Sequence, residues 1–285
     1  MSLTPSDLDA VCRLVDDLCG VYLDEKKTYL IEARLAELLP RHSCESYAEL
    51  ARKARGPAAT AVVEDVIDAI TTNETLWFRD ASPFEALRYK LLPELIDAKA
   101  NTSGPRQIKM WSAACSTGQE AYSMAMAFAD IVPNVAQWDL QILGSDVSRD
   151  AVESARRGVY SDLEISRGLE QKELGSYFQR SNNRWQVCDT LRSKCRFEQR
   201  NLLKPFVGVG KFDIIFCRNV AIYFQPAERR DLFLRLGEAL NPGGWLIAGS
   251  SESLVDLGPE WMPHRHCRAT CYQPKPAHTR IGAGR

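Results

Sequence analysis

The chain has 285 residues, 45% of them hydrophobic and 26% charged, enough for one large domain or for a small domain joined to a medium one. Lys and Arg number 36 and Asp and Glu 37, a formal charge of −1, which disfavours a nucleic acid or an anionic membrane as the partner. The opening MSLTPSDLDAV lacks the basic start and apolar core of a signal peptide, and no stretch approaches the ~20 apolar residues of a bilayer span, so a cytoplasmic chain without membrane insertion is expected.

From Pro5 to about Thr72 the pattern is helical. Leu8, Val11, Cys12, Val15, Leu18 and Cys19 recur at three- and four-residue steps behind a Thr4 cap, giving one amphipathic helix. A second helix is predicted over 24–39, a third after Ser43 and a fourth over 58–70, with Gly56-Pro57 as the break before it. Residues 1–75 therefore read as a small helical domain, and 76–98 as a linker followed by a helix that begins near Phe84. Basic side chains gather at Lys26, Lys27 and Arg34 on one helix and at Arg52, Lys53 and Arg55 on the next; a solvated face and a docking surface explain them about equally well.

Beyond this point short apolar runs alternate with helices, the pattern of a parallel sheet covered on both faces. Strands are predicted at 108–113, 140–145, 195–199, 212–217 and 245–248, with a helix over 226–240 closed by the turn Asn241-Pro242-Gly243-Gly244, and a final edge strand at 268–273. The last stretch, PKPAHTRIGAGR (274–285), reads as a flexible tail or a linker into a further domain. Nine cysteines contain no CxxC pair and read as reduced thiols. His264, His266, Cys267 and Cys271 suit zinc by type, but their HxHCxxxC spacing fits no common structural site, so no metal is expected.

Ligands of a doubly wound sheet lie at the carboxyl ends of its strands, where the strand order reverses. After the first strand, Ala113-Ala114-Cys115-Ser116-Thr117-Gly118 lets backbone approach a ligand closely but lacks the GxGxxG that admits a pyrophosphate. A nucleoside without a diphosphate is therefore favoured over NAD or FAD. Glu120 reads either as a ligand contact or as half of a capping box with Thr117. Asp146, after the second strand, stands where ribose hydroxyls would lie, or else caps the next helix. After the fourth strand, CRNVAIYF (217–224) sets polar groups beside an aromatic, and TTNETLWFRD (71–80) concentrates hydrogen-bonding groups at the domain junction.

Taken in order, TTNETLWFRD, WSAACSTGQEAYSMAM, GSDVSRDAVESARRGVY, FDIIFCRNVAIYF and LNPGGWLIAGSSESL resemble the successive signatures of the chemotaxis-receptor methyltransferases, the CheR family, over about residues 5–273. The resemblance implies an α/β class I S-adenosylmethionine-dependent methyltransferase fold, a doubly wound Rossmann-like sheet over 99–273, behind a small all-helical N-terminal domain. An antiparallel β-subdomain is expected inside it at about 177–200. It further implies that Asn73, Thr75 and Arg79 lie at the methionine end of the cofactor and that Ala114, Glu120 and Asp146 contact it, Asp146 on the ribose. Asn201 and Leu202 are expected near the adenine, Cys217 and Arg218 along the cofactor, and Arg79 and Tyr223 as the catalytic pair beside the transferred methyl group. The implied reaction methylates glutamate carboxylates on the cytoplasmic helical bundle of a chemoreceptor and leaves S-adenosylhomocysteine.

The chemistry agrees with these residue types. A free glutamate has a pKa of about 4.3, so it is ionised at neutral pH and needs no general base. Aligning its oxygen with the methyl carbon and the sulfonium can supply roughly 7–11 kcal/mol. Amine methyltransferases often carry a Pro-Pro-Tyr/Phe turn after the fourth strand; CRNVAIYF, with its Arg, suits an anionic nucleophile better. Family members that tether to a receptor pentapeptide carry a glycine-rich loop where this chain has Ser181-Asn182-Asn183, so pentapeptide-independent action is expected. Some members continue into tetratricopeptide repeats, which leaves a further C-terminal domain open as one reading of the tail beside a plain flexible end. Arg79 also admits a plainer reading, a salt bridge closing the domain junction. The alternative function is a non-catalytic module that binds the cofactor and regulates a chemosensory complex. A small-molecule or RNA methyltransferase is disfavoured by CRNVAIYF and by the neutral charge.

Overall fold

A computed structural model describes residues 3–23, 28–132, 137–255 and 260–275. Helix α1 (Pro5–Cys19) starts with a reciprocal cap: Asp7 N donates to the Thr4 hydroxyl at 3.2 Å, and Thr4 N returns to the Asp7 carboxylate. Gly20, at φ +71, ends it in the left-handed conformation. The single helix predicted over 24–39 is instead α2 (Thr28–Leu35) followed by α3 (Leu38–Arg41). Pro40 has no N–H to offer the Ala36 carbonyl, so the chain breaks in the turn before it; residues 24–27 lie outside the described residues. Ser46 caps α4 (Tyr47–Ala54), and α5 (Thr60–Ile70) completes the bundle around Val11, Leu14, Leu50 and Val66, all buried.

Helix α6 (Ser82–Ala86) passes through a widened turn, Leu87–Leu91, into α7 (Leu92–Ala100). Leu92 N bonds to Leu87 O, five residues back, and Pro93 has no N–H with which to restore the regular ladder.

The strands in chain order are β1 (Gln107–Ala113), β2 (Asp139–Asp146), β3 (Val159–Tyr160), β4 (Phe178–Ser181), β5 (Arg184–Val187), β6 (Cys195–Gln199), β7 (Phe212–Cys217), β8 (Leu240–Ala248), β9 (Trp261–His266) and β10 (Ala269–Pro274). The helices among them are α8 (Gln119–Ile131), α9 (Arg149–Arg157), α10 (Asp162–Ser166), α11 (Gln171–Tyr177), α12 (Asp189–Arg192) and α13 (Pro226–Glu238). Seven strands form one sheet in the order β6-β2-β1-β7-β8-β10-β9, parallel from β6 to β8. Side chains alternate across it: Met110, Ile214 and Phe216 join the core under α8, while Trp111, Ile215 and Cys217 join the core that includes Phe233 and Leu236 of α13. The strand order turns about β1, because β2 lies on one side of it and β7 on the other, so the ligand crevice belongs above the ends of these three.

Three details depart from the sequence expectations. The antiparallel subdomain expected at about 177–200 is the small sheet β3-β5-β4, which begins at Val159 and ends at Val187, while β6, the strand predicted at 195–199, pairs with β2 in the large parallel sheet. Gly144 makes the β6 pairing close, since a Cβ there would stand 2.4 Å from the Phe197 ring. The turn expected at 241–244 is a bulge inside β8: the register with β7 jumps from Phe212↔Leu240 to Ile214↔Trp245. Finally, β10 is interior, and the edge is β9, whose alternating WMPHRH pattern carries His264 and His266, parallel to each other and both edge-on to Trp245. Among the described residues no group of three or more His, Cys, Asp or Glu is placed to hold a metal ion.

Candidate active site

Above the ends of β1, β2 and β7 lies a cleft of about 980 Å³. Its floor is the loop after β1, where Ala114 (φ 69), Ser116 (φ 49) and Gly118 (φ 98) all take left-handed backbone. Gly118 also permits close packing, because a Cβ would meet Ala155 at 2.9 Å. Ser116 N donates to Asp146 Oδ2 at 2.8 Å, and the Ser116 hydroxyl donates to Asn73 O at 2.9 Å. The floor is thus tied to the β2 end and to the linker in one residue.

Glu120 does not form the capping box with Thr117. Its Oε1 accepts the Ser112 hydroxyl at 2.7 Å and its Oε2 accepts Arg218 Nη1 at 2.9 Å. Burial pushes its carboxyl up, against the pull of Arg218 and Ser112. Arg218, whose side chain is 1% exposed, also donates to Asp80 Oδ2 and to Arg79 O, both at 2.8 Å. It works here as a pin that holds the 71–80 segment onto the sheet.

Asp146 caps no helix by itself; Ser148 is the N-cap of α9, and Asp146 Oδ1 accepts Ser148 N at 3.0 Å. Burial pushes the Asp146 carboxyl up, and the backbone N–H groups of Ser148, Ser116 and Val147 hold it back. Arg79 closes no salt bridge among the described residues; the one hydrogen bond of its guanidinium there is to Glu74 O at 3.2 Å. The residues on both sides of it, Phe78 (φ 48) and Asp80 (φ 61), have left-handed backbone. Tyr223 comes from the turn Ala221–Tyr223, and its carbonyl accepts Tyr22 N from beyond α1 at 3.0 Å.

Of the sequence-predicted residues, Asn73, Thr75, Arg79, Ala114, Glu120, Asp146, Asn201, Leu202, Arg218 and Tyr223 all line this cleft. Cys217 does not. It ends β7 facing the opposite core, with its thiol fully buried and its pKa pushed well up by that burial. Strand alternation sends only its neighbour, Arg218, into the cleft. Asn201 reaches the cleft with its amide already engaged, donating to Leu18 O at 2.7 Å and accepting Leu203 N at 2.9 Å.

Sequence reading missed three contributors. Cys19 and Val21 bring the end of α1 into the cleft wall, a contact across most of the chain that no local pattern signals. Glu252, buried, accepts the backbone N–H groups of Asn219 (2.7 Å), Gly249 (2.9 Å), Val220 (3.1 Å) and Ile222 (3.2 Å), and so shapes the loop that carries Tyr223. Its only sequence signal is the SSES of the closing motif. Arg34, read as part of a docking face, donates instead to Ile70 O and to the Thr72 hydroxyl and fastens the linker; Lys26 and Lys27 lie outside the described residues.

Comparison with known proteins agrees with this arrangement. Residues 6–71 match the all-alpha domain of the CheR methyltransferases, and residues 73–271 match their S-adenosylmethionine-binding domain. Chemotaxis protein methyltransferase Cher2 of Pseudomonas putida is 39% identical over 279 residues, 96% of this chain and 100% of that protein. Chemotaxis protein methyltransferase 1 of Pseudomonas aeruginosa is 41% identical over 261 residues, 90% of this chain and 93% of its own length. The protein of the same name from Vibrio cholerae is 38% identical over 254 residues, 86% and 88% of the two chains. With both domains matched in order and the cleft at their junction, the chain belongs to the CheR family of S-adenosylmethionine-dependent methyltransferases.

Proposed function

We propose that the protein transfers the methyl group of S-adenosylmethionine to glutamate side chains on the cytoplasmic helical bundle of a chemoreceptor, in the cytoplasm, giving glutamate methyl esters and S-adenosylhomocysteine. The observation that carries this reading is the charged lining of the cleft, which consists of arginines and carboxylates, with Arg79 spending a single donor on the Glu74 carbonyl. A carboxylate nucleophile is ionised at neutral pH and needs orienting rather than deprotonating, and a guanidinium with free donors suits that task.

The donor set suits the cofactor. Asp146, at the end of β2, still has acceptor capacity for ribose hydroxyls, since its two oxygens offer about four lone-pair sites and, among the described residues, are met only by backbone N–H groups, Ser116 N on Oδ2 and Ser148 N on Oδ1 included. Val147, Leu202 and Val220 offer apolar walls for a purine, while Asn73, Thr75 and Arg79 lie along the linker side. When bound, S-adenosylmethionine supplies an electrophilic methyl group on a sulfonium. Arg79 then orients the incoming carboxylate, Tyr223 donates a hydrogen bond beside it, and Glu120 with Arg218 fixes the floor. A module that only bound the cofactor would need neither Arg79 nor Tyr223, and both face the cleft.

The test is incubation with methyl-labelled cofactor and receptor cytoplasmic fragments. Label released by mild base supports an ester; base-stable label would replace this reading with N-methylation. We also propose that the protein acts without a receptor pentapeptide tether. Asn182 (φ 44) and Asn183 (φ 59) close β4 onto β5 as a two-residue turn, with no longer loop to clasp a peptide beside the strand edge. Calorimetry with such a pentapeptide should show no binding at micromolar concentrations, and micromolar affinity would sink this part of the proposal.

A further inference from the structure

The loop from β2 to α9 serves two neighbours. Asp146 and Val147 line the cleft, and Val147 also packs against the core of the helical domain. Ser148 follows, fully buried, and makes three hydrogen bonds of different kinds. Its N–H donates to Asp146 Oδ1 at 3.0 Å, its hydroxyl oxygen accepts Ala151 N at 3.1 Å, and its hydroxyl hydrogen goes to Asp68 Oδ1 of α5 at 2.6 Å. An unbroken path therefore joins a carboxylate of the helical domain to the carboxylate of the cleft.

The Ser148 cap of α9 does not by itself call for Asp68, because a serine hydroxyl accepts a helix N–H without an acceptor behind it, and the direct contact of Asp68 Oδ1 with the helix, from Asp150 N, is a long 3.4 Å. What Asp68 adds is direction. With the hydroxyl hydrogen held toward α5, a lone pair faces Ala151 N, the Ser148 rotamer is locked, and the Ser148 N–H stays aimed at Asp146. Domain attachment does not call for it either, since Arg149 already pairs with Glu64 next to it. Asp68 moreover keeps its Oδ2 buried with no hydrogen-bond partner among the described residues. A carboxylate oxygen buried without a partner on an otherwise half-buried side chain is a poor choice for stability alone.

We infer that Asp68 is a positioning residue for cofactor binding: acting through Ser148, it holds Asp146 in the orientation that accepts the ribose hydroxyls, so the helical domain takes part in sugar recognition from two side chains away. The inference rests on the proposed role of Asp146 at the ribose.

The test uses the full chain with Asp68→Ala and Asp68→Asn, titrated by calorimetry with S-adenosylhomocysteine and with its 2′-deoxyribose analogue. Asp68→Ala should lose about tenfold in affinity for S-adenosylhomocysteine and little for the analogue, so discrimination between the two collapses. Asp68→Asn, which keeps an acceptor oxygen, should recover most of it. In turnover, KM for the cofactor should rise with kcat within about twofold. Equal weakening of both ligands would mark a merely structural role and overturn the inference, as would unchanged binding of S-adenosylhomocysteine. A wild-type protein that fails to distinguish the two ligands would remove the ribose role of Asp146 itself. That outcome would take the inference down with it, whereas wild-type discrimination that Asp68→Ala leaves intact would overturn the inference alone.

Discussion

Arg79 is held from behind rather than by its own side chain. Arg218 grips its carbonyl, the left-handed backbone of Phe78 and Asp80 turns the chain on both sides, and Phe78 N is anchored on the Ser123 hydroxyl at 3.1 Å. The guanidinium itself contributes one hydrogen bond to the fold. Arg79→Ala should therefore lower kcat/KM for methyl transfer by about a hundredfold or more while leaving thermal unfolding nearly unchanged; retention of full activity would count against its role. Asp146 allows a pH prediction. Burial raises its folded pKa above the ordinary 3.8, so the protonated form is the one favoured by folding. Its contribution to stability is present below the unfolded pKa and is lost as pH rises through the folded one. Under the proposed ribose role binding runs the other way, because hydroxyls donate to the ionised form. Affinity for S-adenosylhomocysteine should fall on acidification while still above the pH at which an exposed aspartate protonates. Asp146→Asn should remove part of that slope, the remainder belonging to Glu120, which burial shifts in the same direction; calorimetry across pH reads both.

At the level of elements, the end of α1 makes a demand that its own helix does not explain. Gly20 stops the helix at φ +71, and a Cβ there would also stand 2.6 Å from Leu203 Cδ1 and 3.0 Å from Phe224 Cδ1. Gly20→Ala combines left-handed strain with this overlap, and should cost about 1–3 kcal/mol in unfolding experiments. It should weaken cofactor binding as well, since Cys19 and Val21 flank it on the cleft wall. The elements themselves were legible wherever local rules govern. The five parallel strands sit on apolar runs, and Thr4, Gly56-Pro57 and Gly118 mark real boundaries. Legibility failed where a partner decides. β9 looks polar because it is an edge strand whose histidines lean on Trp245, the small sheet takes in Val159-Tyr160 because β5 pairs with it from well along the chain, and the 241–244 bulge is a register effect between two strands.

In the whole molecule, the cleft is built by both domains. The floor and the far wall come from the sheet, and the near wall from α1 and from the 71–80 segment, which Arg34 holds at Thr72 and Arg218 holds at Asp80. Motif order made most cleft residues readable, since Asn73, Glu120, Asp146 and Arg218 each stand beside a strand end or in the junction segment. Cys217 was misplaced by one step of strand alternation, and Cys19, Val21 and Glu252 were hidden because their places depend on contacts far along the chain.

The bond from Asn201 to Leu18 spans 183 residues, and it has a bearing on how the protein is made. A nascent chain completes its helical bundle early, and that bundle must persist on the ribosome with its cleft-facing end uncovered until the partner strands emerge. Tyr22 waits longer still for the Tyr223 carbonyl. Ligand stabilisation by mass action therefore reaches only the finished chain. During translation, Leu18, Cys19 and Val21 are the surface on which a chaperone would find this protein incomplete.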